Sequence, residues 1–360
     1  MSNMPKVVVA MSGGVDSSVV AALLVEQGYS VTGMMLRLWS EDGCEDANRC
    51  CTPDAMAQAR KMAGQLGIPF YVIDAKQTFR QTVVQAFLDG YTAGVTPNPC
   101  ITCNRQVRWG LLWERAKALG AEYMATGHYA RLERAEDGQV SLLRALDKHK
   151  DQSYVLSGLS REQLAHSMFP LGGYTKPEVR ELAHRFNLSA AERPDSQDLC
   201  FLAGQDYRDF LRRHAPETHR PGLIRSVQGE VLGEHQGLAN YTIGQRKGLG
   251  VTASRPLYVI QKKAVTNELI VGYEEDLGSR CFMAGPMNWI AAKPLLEPME
   301  LQVKIRYKAP LAEAVLFPPE QEGEPARVET RHLLRDITPG QLAVFYQDER
   351  VLGSGLILST

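Results

Sequence analysis

Apolar residues in the first third of the chain fall into short runs punctuated by glycine. Lys6–Met11 is a valine-rich run that predicts a buried strand, and the apolar stretch Ser17–Gln27, closed by Gly28, predicts a helix. The turn Ser12-Gly13-Gly14-Val15-Asp16 joins them. The same rhythm continues with a strand over Tyr29–Leu36, a helix over Asp54–Leu66 ended by Gly67, and a strand over Phe70–Asp74. Helices over Phe79–Tyr91 and Arg108–Leu119 and a strand over Tyr123–Tyr129 follow. Alternating strand and helix implies a doubly wound α/β domain, a parallel sheet with helices on both faces and ligands at the carboxyl ends of its strands.

The pattern then changes. Arg131–Leu146, centred on Asp137-Gly138, predicts a β-hairpin, and two helices near Arg161–Ser167 and Pro177–Phe186 complete the first domain. Beyond Ala203 come one helix, Tyr207–His214, a Pro221-Gly222 turn and several short extended pieces, the mark of a small separate module. From about Cys281, extended segments such as Leu301–Tyr307, Ala326–Thr330 and Gln341–Tyr346 alternate with Pro/Gly turns, which predicts a small β-barrel or sandwich. The expected domains are therefore 1–205, 206–280 and 281–360, consistent with a length of 360 residues.

Composition narrows the function classes. No apolar run reaches the length of a membrane span, and the N-terminus lacks a secretory pattern, so a cytoplasmic protein is expected. Seven cysteines, an odd number in a long chain, argue against a disulfide framework and for thiol chemistry, metal binding or burial. Net charge is −1, so the whole-molecule field is not that of a nucleic-acid binder. The segment from Asp206 to Lys263 nevertheless holds ten Lys/Arg against five Asp/Glu, either a footprint for phosphates or a solvated surface.

Ser12-Gly13-Gly14-Val15-Asp16-Ser17 links a strand to a helix N-terminus, where unpaired N–H groups and the dipole favour an anion. Two glycines let backbone approach a phosphate, Ser12 and Ser17 add hydroxyls, and Asp16 makes sense beside phosphates only with a cation such as Mg²⁺ between them. Neither GxxxxGK[ST] nor GxGxxG describes this loop. The stretch Ala10-Met11-Ser12-Gly13-Gly14-Val15-Asp16-Ser17 resembles the PP-loop of ATP pyrophosphatases. That resemblance implies adenylation of a carbonyl oxygen with release of pyrophosphate, on a substrate the loop does not name.

Cys100 and Cys103 form a Cys-x-x-Cys between Pro97, Pro99 and a following helix, read as a loop. Half of a zinc site, completed by Cys44, Cys50 or Cys51, a redox pair, and a site with one nucleophilic thiol are all open. Cys200, in Asp195-Ser196-Gln197-Asp198-Leu199-Cys200-Phe201, stands alone. Chemistry offers a joint role: replacing a carbonyl oxygen by sulfur needs adenylation to make a leaving group, then attack by a thiolate or persulfide. One cysteine can carry the persulfide and a second resolve the disulfide left after delivery.

With these, Thr96–Asn104, Ala125-Thr126-Gly127-His128-Tyr129, Lys150-Asp151-Gln152-Ser153-Tyr154, Gly233-Glu234-His235-Gln236-Gly237, Thr242–Gly250 and Thr338-Pro339-Gly340-Gln341 resemble, in order and across the whole chain, the bacterial tRNA-specific 2-thiouridylase (MnmA) family. The resemblance implies that Ala10–Ser17, Leu36 and Gly127 hold ATP, that Cys103 is the nucleophile and that Cys200 carries the persulfide. It implies further that Asn98, Pro99 and Cys100 line the pocket for the target base, the wobble uridine of tRNAs for Lys, Glu and Gln. An anticodon-loop base is already single-stranded, so extruding it costs little. His128, Lys150, Asp151, Gln152, Arg306, Tyr307 and Gln341 are implied to touch tRNA.

Some members of the family carry Asp where this chain has Cys100. A third thiol opens a second mechanism, in which Cys100, Cys103 and Cys200 ligate a [4Fe–4S] cluster that binds sulfide at its open iron. The persulfide scheme is favoured because Cys200 has no spacing tie to the Cys-x-x-Cys. A PP-loop synthetase acting on a small molecule would explain the loop but leave the thiols and the basic module idle. The sulfur donor, a sulfur-relay protein or a cysteine desulfurase, is not readable.

Overall fold

The computed structural model describes residues 4–41, 52–191, 199–291, 295–319, 321 and 323–358. Cys44, Cys50, Cys51 and the segment 195–198 lie outside them. Strand β1 (Lys6–Ala10) leads into helix α1 (Val15–Glu26), then β2 (Ser30–Arg37), α2 (Pro53–Gln65) and β3 (Phe70–Asp74). Continuous helices over residues 76–92 and 99–118 precede β4 (Tyr123–Ala125). Alternate residues of β1 serve opposite faces, as its pleat requires. Val7 and Val9 pack with Val19, Val20 and Leu23 of α1, and Val8 packs with Trp109, Leu112 and Trp113.

The hairpin strands β5 (Arg131–Arg134) and β6 (Val140–Leu143) follow, and the two-residue strand β7 (Ser167–Met168) completes a parallel sheet of order β3-β2-β1-β4-β7. The chain leaves β1 toward β2 and β3, then crosses to β4 on the other side. The switch point thus lies between β1 and β4, where open α/β sheets bind ligands. Helix Lys176–Arg185, capped by Thr175 and Glu178, covers α1.

Helix Tyr207–His214 packs Phe210 and Leu211 into the cluster of Phe79, Phe87 and Cys103, while strands β8 (Gly222–Ser226), β9 (Val231–His235), β10 (Tyr258–Lys263) and β11 (Glu268–Gly272) form a sheet of order β10-β11-β8-β9 around Ile224, Val259, Leu269 and Val271. Strands β12 (Ser279–Trp289), β13 (Met299–Lys304), β14 (Ala312–Phe317), β15 (Ala326–Leu334), β16 (Leu342–Gln347) and β17 (Arg350–Ile357) form a barrel. It closes where β12 pairs with both β15 and β17. The hairpin β5–β6 pairs with β17 through Leu143 and Arg350, so a piece of the first domain extends the barrel's sheet.

Two expectations need correction. The strand expected over Tyr123–Tyr129 ends at Ala125, because the chain must leave the sheet there to pass α1. The Cys-x-x-Cys, expected in a loop, forms the first turn of the 99–118 helix, since Asn98-Pro99 is an N-cap followed by a proline at the first helical position. That helix is π-wound over Cys103–Leu112, a local geometry frequent at functional sites.

Candidate active site

The glycine-rich turn folds on itself. The Ser12 N–H donates to Ser17 Oγ (3.2 Å), and the Ser17 and Ser18 hydroxyls donate to Gly14 O (3.2 and 2.9 Å). Among the described residues no side chain caps α1, and such a helix end favours an anion. Gly13 has φ +72°, and a Cβ on it would lie 2.4 Å from Ala55 O at the start of α2. Only glycine meets both conditions. Gly127, just past β4, would place a Cβ 2.9 Å from Asp16 Cβ, so the turn after β4 rests directly on the first turn of α1. Leu36, near the carboxyl end of β2, and Ala10, at the end of β1, are half-buried.

Asp16 faces a cation, as its place among phosphate-binding groups requires, but the cation is a side chain. Lys176 Nζ lies 2.7 and 2.9 Å from the two Asp16 oxygens, and the Tyr129 hydroxyl donates to Asp16 Oδ1 (2.8 Å). Lys176 is buried at the start of its helix. Sequence reading missed this lysine; its only local mark is the Thr175–Glu178 capping box around it.

The thiols occupy the next segment. The Asn98 side chain accepts from the Cys100 N–H (3.2 Å), fixing the helix start. Cys100 is exposed and Cys103, one turn on, is buried among Phe87, Tyr91, Phe201 and Phe210. Cys200 is half-buried and packs against the same apolar cluster, which joins residues from 38 to 239. Pro99, at the first helical position, is buried. Among the described residues no three of His, Cys, Asp and Glu are grouped to hold a metal ion. Cys100 is exposed, Cys200 half-buried and Cys103 buried.

His128 is buried, not on the surface. Its Nδ1 lies 2.7 Å from Thr126 Oγ1 and its Nε2 3.0 Å from Arg108, whose guanidinium also donates to Asn104 Oδ1 (2.8 Å). Burial first, and the Arg108 charge second, hold its pKa well below the ordinary 6.5. The ring is neutral, accepting at Nε2 and donating from Nδ1.

Asp151 is also buried, accepting from Arg144 Nε (3.2 Å) and from the N–H groups of Ala145 (3.2 Å) and Ser153 (3.1 Å). Gln152 Oε1 accepts from the Tyr129 N–H (2.9 Å), and Lys150 beside it is half-buried. From the barrel come Arg306, ion-paired with Asp336, and Tyr307, whose ring lies 6.2 Å from that of Tyr154. Burial raises the Tyr307 hydroxyl pKa, and the nearby Asp151 and Cys100 charges add to it. Gln341 Nε2 donates to Thr96 O (2.9 Å). In the basic module, Arg208, Arg212, Arg213, Arg225 and Arg255 are paired with carboxylates. Arg246 and Lys247 stand exposed at the tip of a turn.

A parallel sheet whose switch point carries an uncapped helix end under a glycine turn defines a PP-loop nucleotide-binding domain, joined here to a pair of thiols. The family models described as tRNA methyl transferase HUP domain, tRNA methyl transferase PRC-barrel domain and aminomethyltransferase beta-barrel domain match residues 5–204, 208–273 and 279–357. The tRNA-specific 2-thiouridylase MnmA of Desulfitobacterium hafniense is 47% identical over 98% of this chain and 98% of its own. That of Carboxydothermus hydrogenoformans is 44% identical over 98% and 97%. The chain belongs to the tRNA-specific 2-thiouridylase family. Among solved structures, NMN synthetase from Francisella tularensis is similar at TM-score 0.35 and 18% identity, covering 58% of this chain and 73% of its own. U34-tRNA thiolase NcsA from Methanococcus maripaludis is similar at TM-score 0.34 and 22% identity, covering 59% and 67%. Likeness at that level carries no argument about chemistry. Among the described residues no helix is long and apolar enough to cross a membrane.

Proposed function

We propose that this chain replaces the C2 oxygen of the wobble uridine of tRNAs for Lys, Glu and Gln with sulfur, using ATP. The uridine oxygen attacks the α-phosphorus of ATP and pyrophosphate departs over the Ser12–Ser17 turn and the open end of α1. Lys176, held at the turn by Asp16, supplies positive charge to the leaving pyrophosphate. Mg²⁺ entering with the nucleotide would neutralise phosphate charge, held by Asp16 once Lys176 turns from that carboxylate to the pyrophosphate.

The terminal sulfur of a Cys200 persulfide then attacks the adenylated C2, and AMP leaves with the oxygen. The Cys103 thiolate attacks Cys200 Sγ, the S–S bond breaks toward the uridine sulfur, and 2-thiouridine is released. Two external thiols reduce the disulfide left between Cys103 and Cys200, leaving as a disulfide of their own, and a sulfur-relay protein or cysteine desulfurase reloads Cys200. Asn98, Pro99 and Cys100 flank the extruded base, with the Tyr307 ring as the stacking face. His128, Asp151, Gln152 and Gln341 support the RNA-facing surface from within, while Lys150 and Arg306 meet phosphate.

The observation that carries this reading is the packing of Cys200 against the apolar cluster that contains Cys103. Incubation with ATP, a persulfide donor and unmodified tRNA tests it. Pyrophosphate release stimulated by tRNA, together with 2-thiouridine in the digested nucleosides, is expected. Release indifferent to tRNA would sink the proposal.

A further inference from the structure

The helix bearing Cys100 and Cys103 starts at Asn98, and the chain just before it is held by the C-terminal barrel. The Thr96 N–H donates to Pro339 O (2.9 Å), and Gln341 Nε2 donates to Thr96 O (2.9 Å). One barrel turn, residues 338–341, therefore takes both backbone groups of Thr96. The Thr96 hydroxyl is buried with no hydrogen-bond partner among the described residues, so the contact reads backbone. Gly340 has φ +92°, and a Cβ there would lie 3.0 Å from Thr96 N, C and O. Such a close approach of two backbone segments is open to glycine alone.

The turn itself is fixed to the barrel. Gly340 N donates to Ile357 O (3.0 Å), Ile357 N donates to Gln341 O (2.8 Å), and Thr338 Oγ1 donates to Asp336 O (2.9 Å). Two residues beyond Thr96, Asn98 caps the thiol-bearing helix.

We propose that the 338–341 turn is a positioning element for the catalytic thiols: the barrel sets where the 99–118 helix begins, and so where Cys100 and Cys103 sit. Gln341 acts on the thiol-bearing helix through its bond to Thr96. The proposal deepens the thiolation reading, but its first test does not depend on it.

Gln341→Leu keeps the side chain's bulk and removes the amide; Gly340→Ala drives the turn off Thr96. Asn288→Ala is the control. It removes two other bonds between barrel and first domain, from Asn288 Nδ2 to Ser157 O (2.8 Å) and Leu159 O (2.9 Å), away from Thr96. Iodoacetamide labelling of Cys100, followed by peptide mass spectrometry without ATP or RNA, reads the seat of the helix directly. Gln341→Leu should change the labelling rate by about threefold or more. It should lower kcat for thiolation by roughly tenfold with KM for ATP unchanged, since small misplacements of reacting groups are costly. Asn288→Ala should leave both at wild-type values. Wild-type labelling in Gln341→Leu overturns the proposal, as does an equal change in Asn288→Ala, and either result counts against it even if the protein thiolates nothing. Should Gly340→Ala not fold, Gln341→Leu decides alone.

Discussion

The nucleotide turn and the thiol site are built on opposite plans. The turn draws its shape from its own residues: Ser12, Gly14, Ser17 and Ser18 bond to one another within a single strand–turn–helix unit. The thiol site draws on three parts of the chain, with Asn98 capping its helix, Cys200 arriving from beyond the first domain's last helix, and the barrel holding Thr96. A helix end supplies aligned N–H groups to phosphate without help, so that recognition can be local. Sulfur transfer between two thiols requires separate segments to meet, so it is tertiary by nature.

The largest expected effect cuts the two halves apart. Cys103→Ser and Cys200→Ser should each reduce 2-thiouridine formation by roughly 10⁴-fold or more, as removal of a nucleophile does. Cys200→Ser should still adenylate tRNA, which trapping of labelled AMP on the RNA would reveal. Retained thiolation in either variant would take that residue out of the chemistry.

A second variant tests whether the turn is as local as it looks. Lys176 comes from a distant helix to bond both oxygens of Asp16. Lys176→Met should slow pyrophosphate release by roughly 10²-fold, the usual cost of one charge-stabilising donor. Stability should fall by roughly 2 kcal/mol, because Asp16 loses its cation in a partly buried place. Cys100 labelling should not move. Pyrophosphate release close to wild type would mean that the turn works without its lysine.

Locality also decides what could be read in advance. Phe70–Asp74 and Tyr207–His214 fold over the residues their patterns predict, because an apolar run or an amphipathic turn bounded by polar breaks carries its own instruction. The Ser12–Ser17 turn is legible for the same reason. Strand β7 is two residues long and exists only through pairing with β4, so no period announces it. The sequence Leu352-Gly353-Ser354-Gly355 gives no strand signal, yet it closes the barrel against β12. The polar character of His128 and Asp151 suggests surface, whereas Arg108, Thr126 and Arg144 satisfy them inside. Lys176, Tyr129 and the clasp of Thr96 by the barrel depend on contacts between residues far apart in the chain.

Between the two sites lies His128, next to Gly127 and bonded to the arginine that holds Asn104. The unfolded imidazole titrates near 6.5 and the folded one well below it. The unfolded chain therefore binds more protons in the window beneath 6.5. The stability His128 contributes is complete above that pH and is lost as pH falls toward the folded pKa, by up to about 1.4 kcal/mol per pH unit. Chemical denaturation of wild type and His128→Gln between pH 7.5 and 5.5 measures it. The variant should show the shallower dependence, with a residual slope from His219 and His235, also held low by burial. Equal slopes would mean that the ring is protonated without cost, and that the two sites are not joined through a neutral histidine.

The smallest effect belongs to neither site. Arg246 and Lys247 project from a turn that Gln245 braces, through bonds to the Thr242 N–H (3.1 Å) and Lys247 O (2.9 Å). Most arginines around them are neutralised by carboxylates, whereas among the described residues no ion pair is made by Arg246 or Lys247. Phosphate contacts position RNA without reading it, so removing them should weaken all tRNAs alike. Arg246→Ala with Lys247→Ala should raise KM for tRNA by roughly threefold to tenfold and leave kcat unchanged. The slope of log affinity against log salt should fall by about 0.7 to 0.9 for each phosphate that the variant no longer neutralises. A changed kcat with an unchanged salt slope would place this turn in the chemistry, and would make the basic module a third contributor to the assembled site.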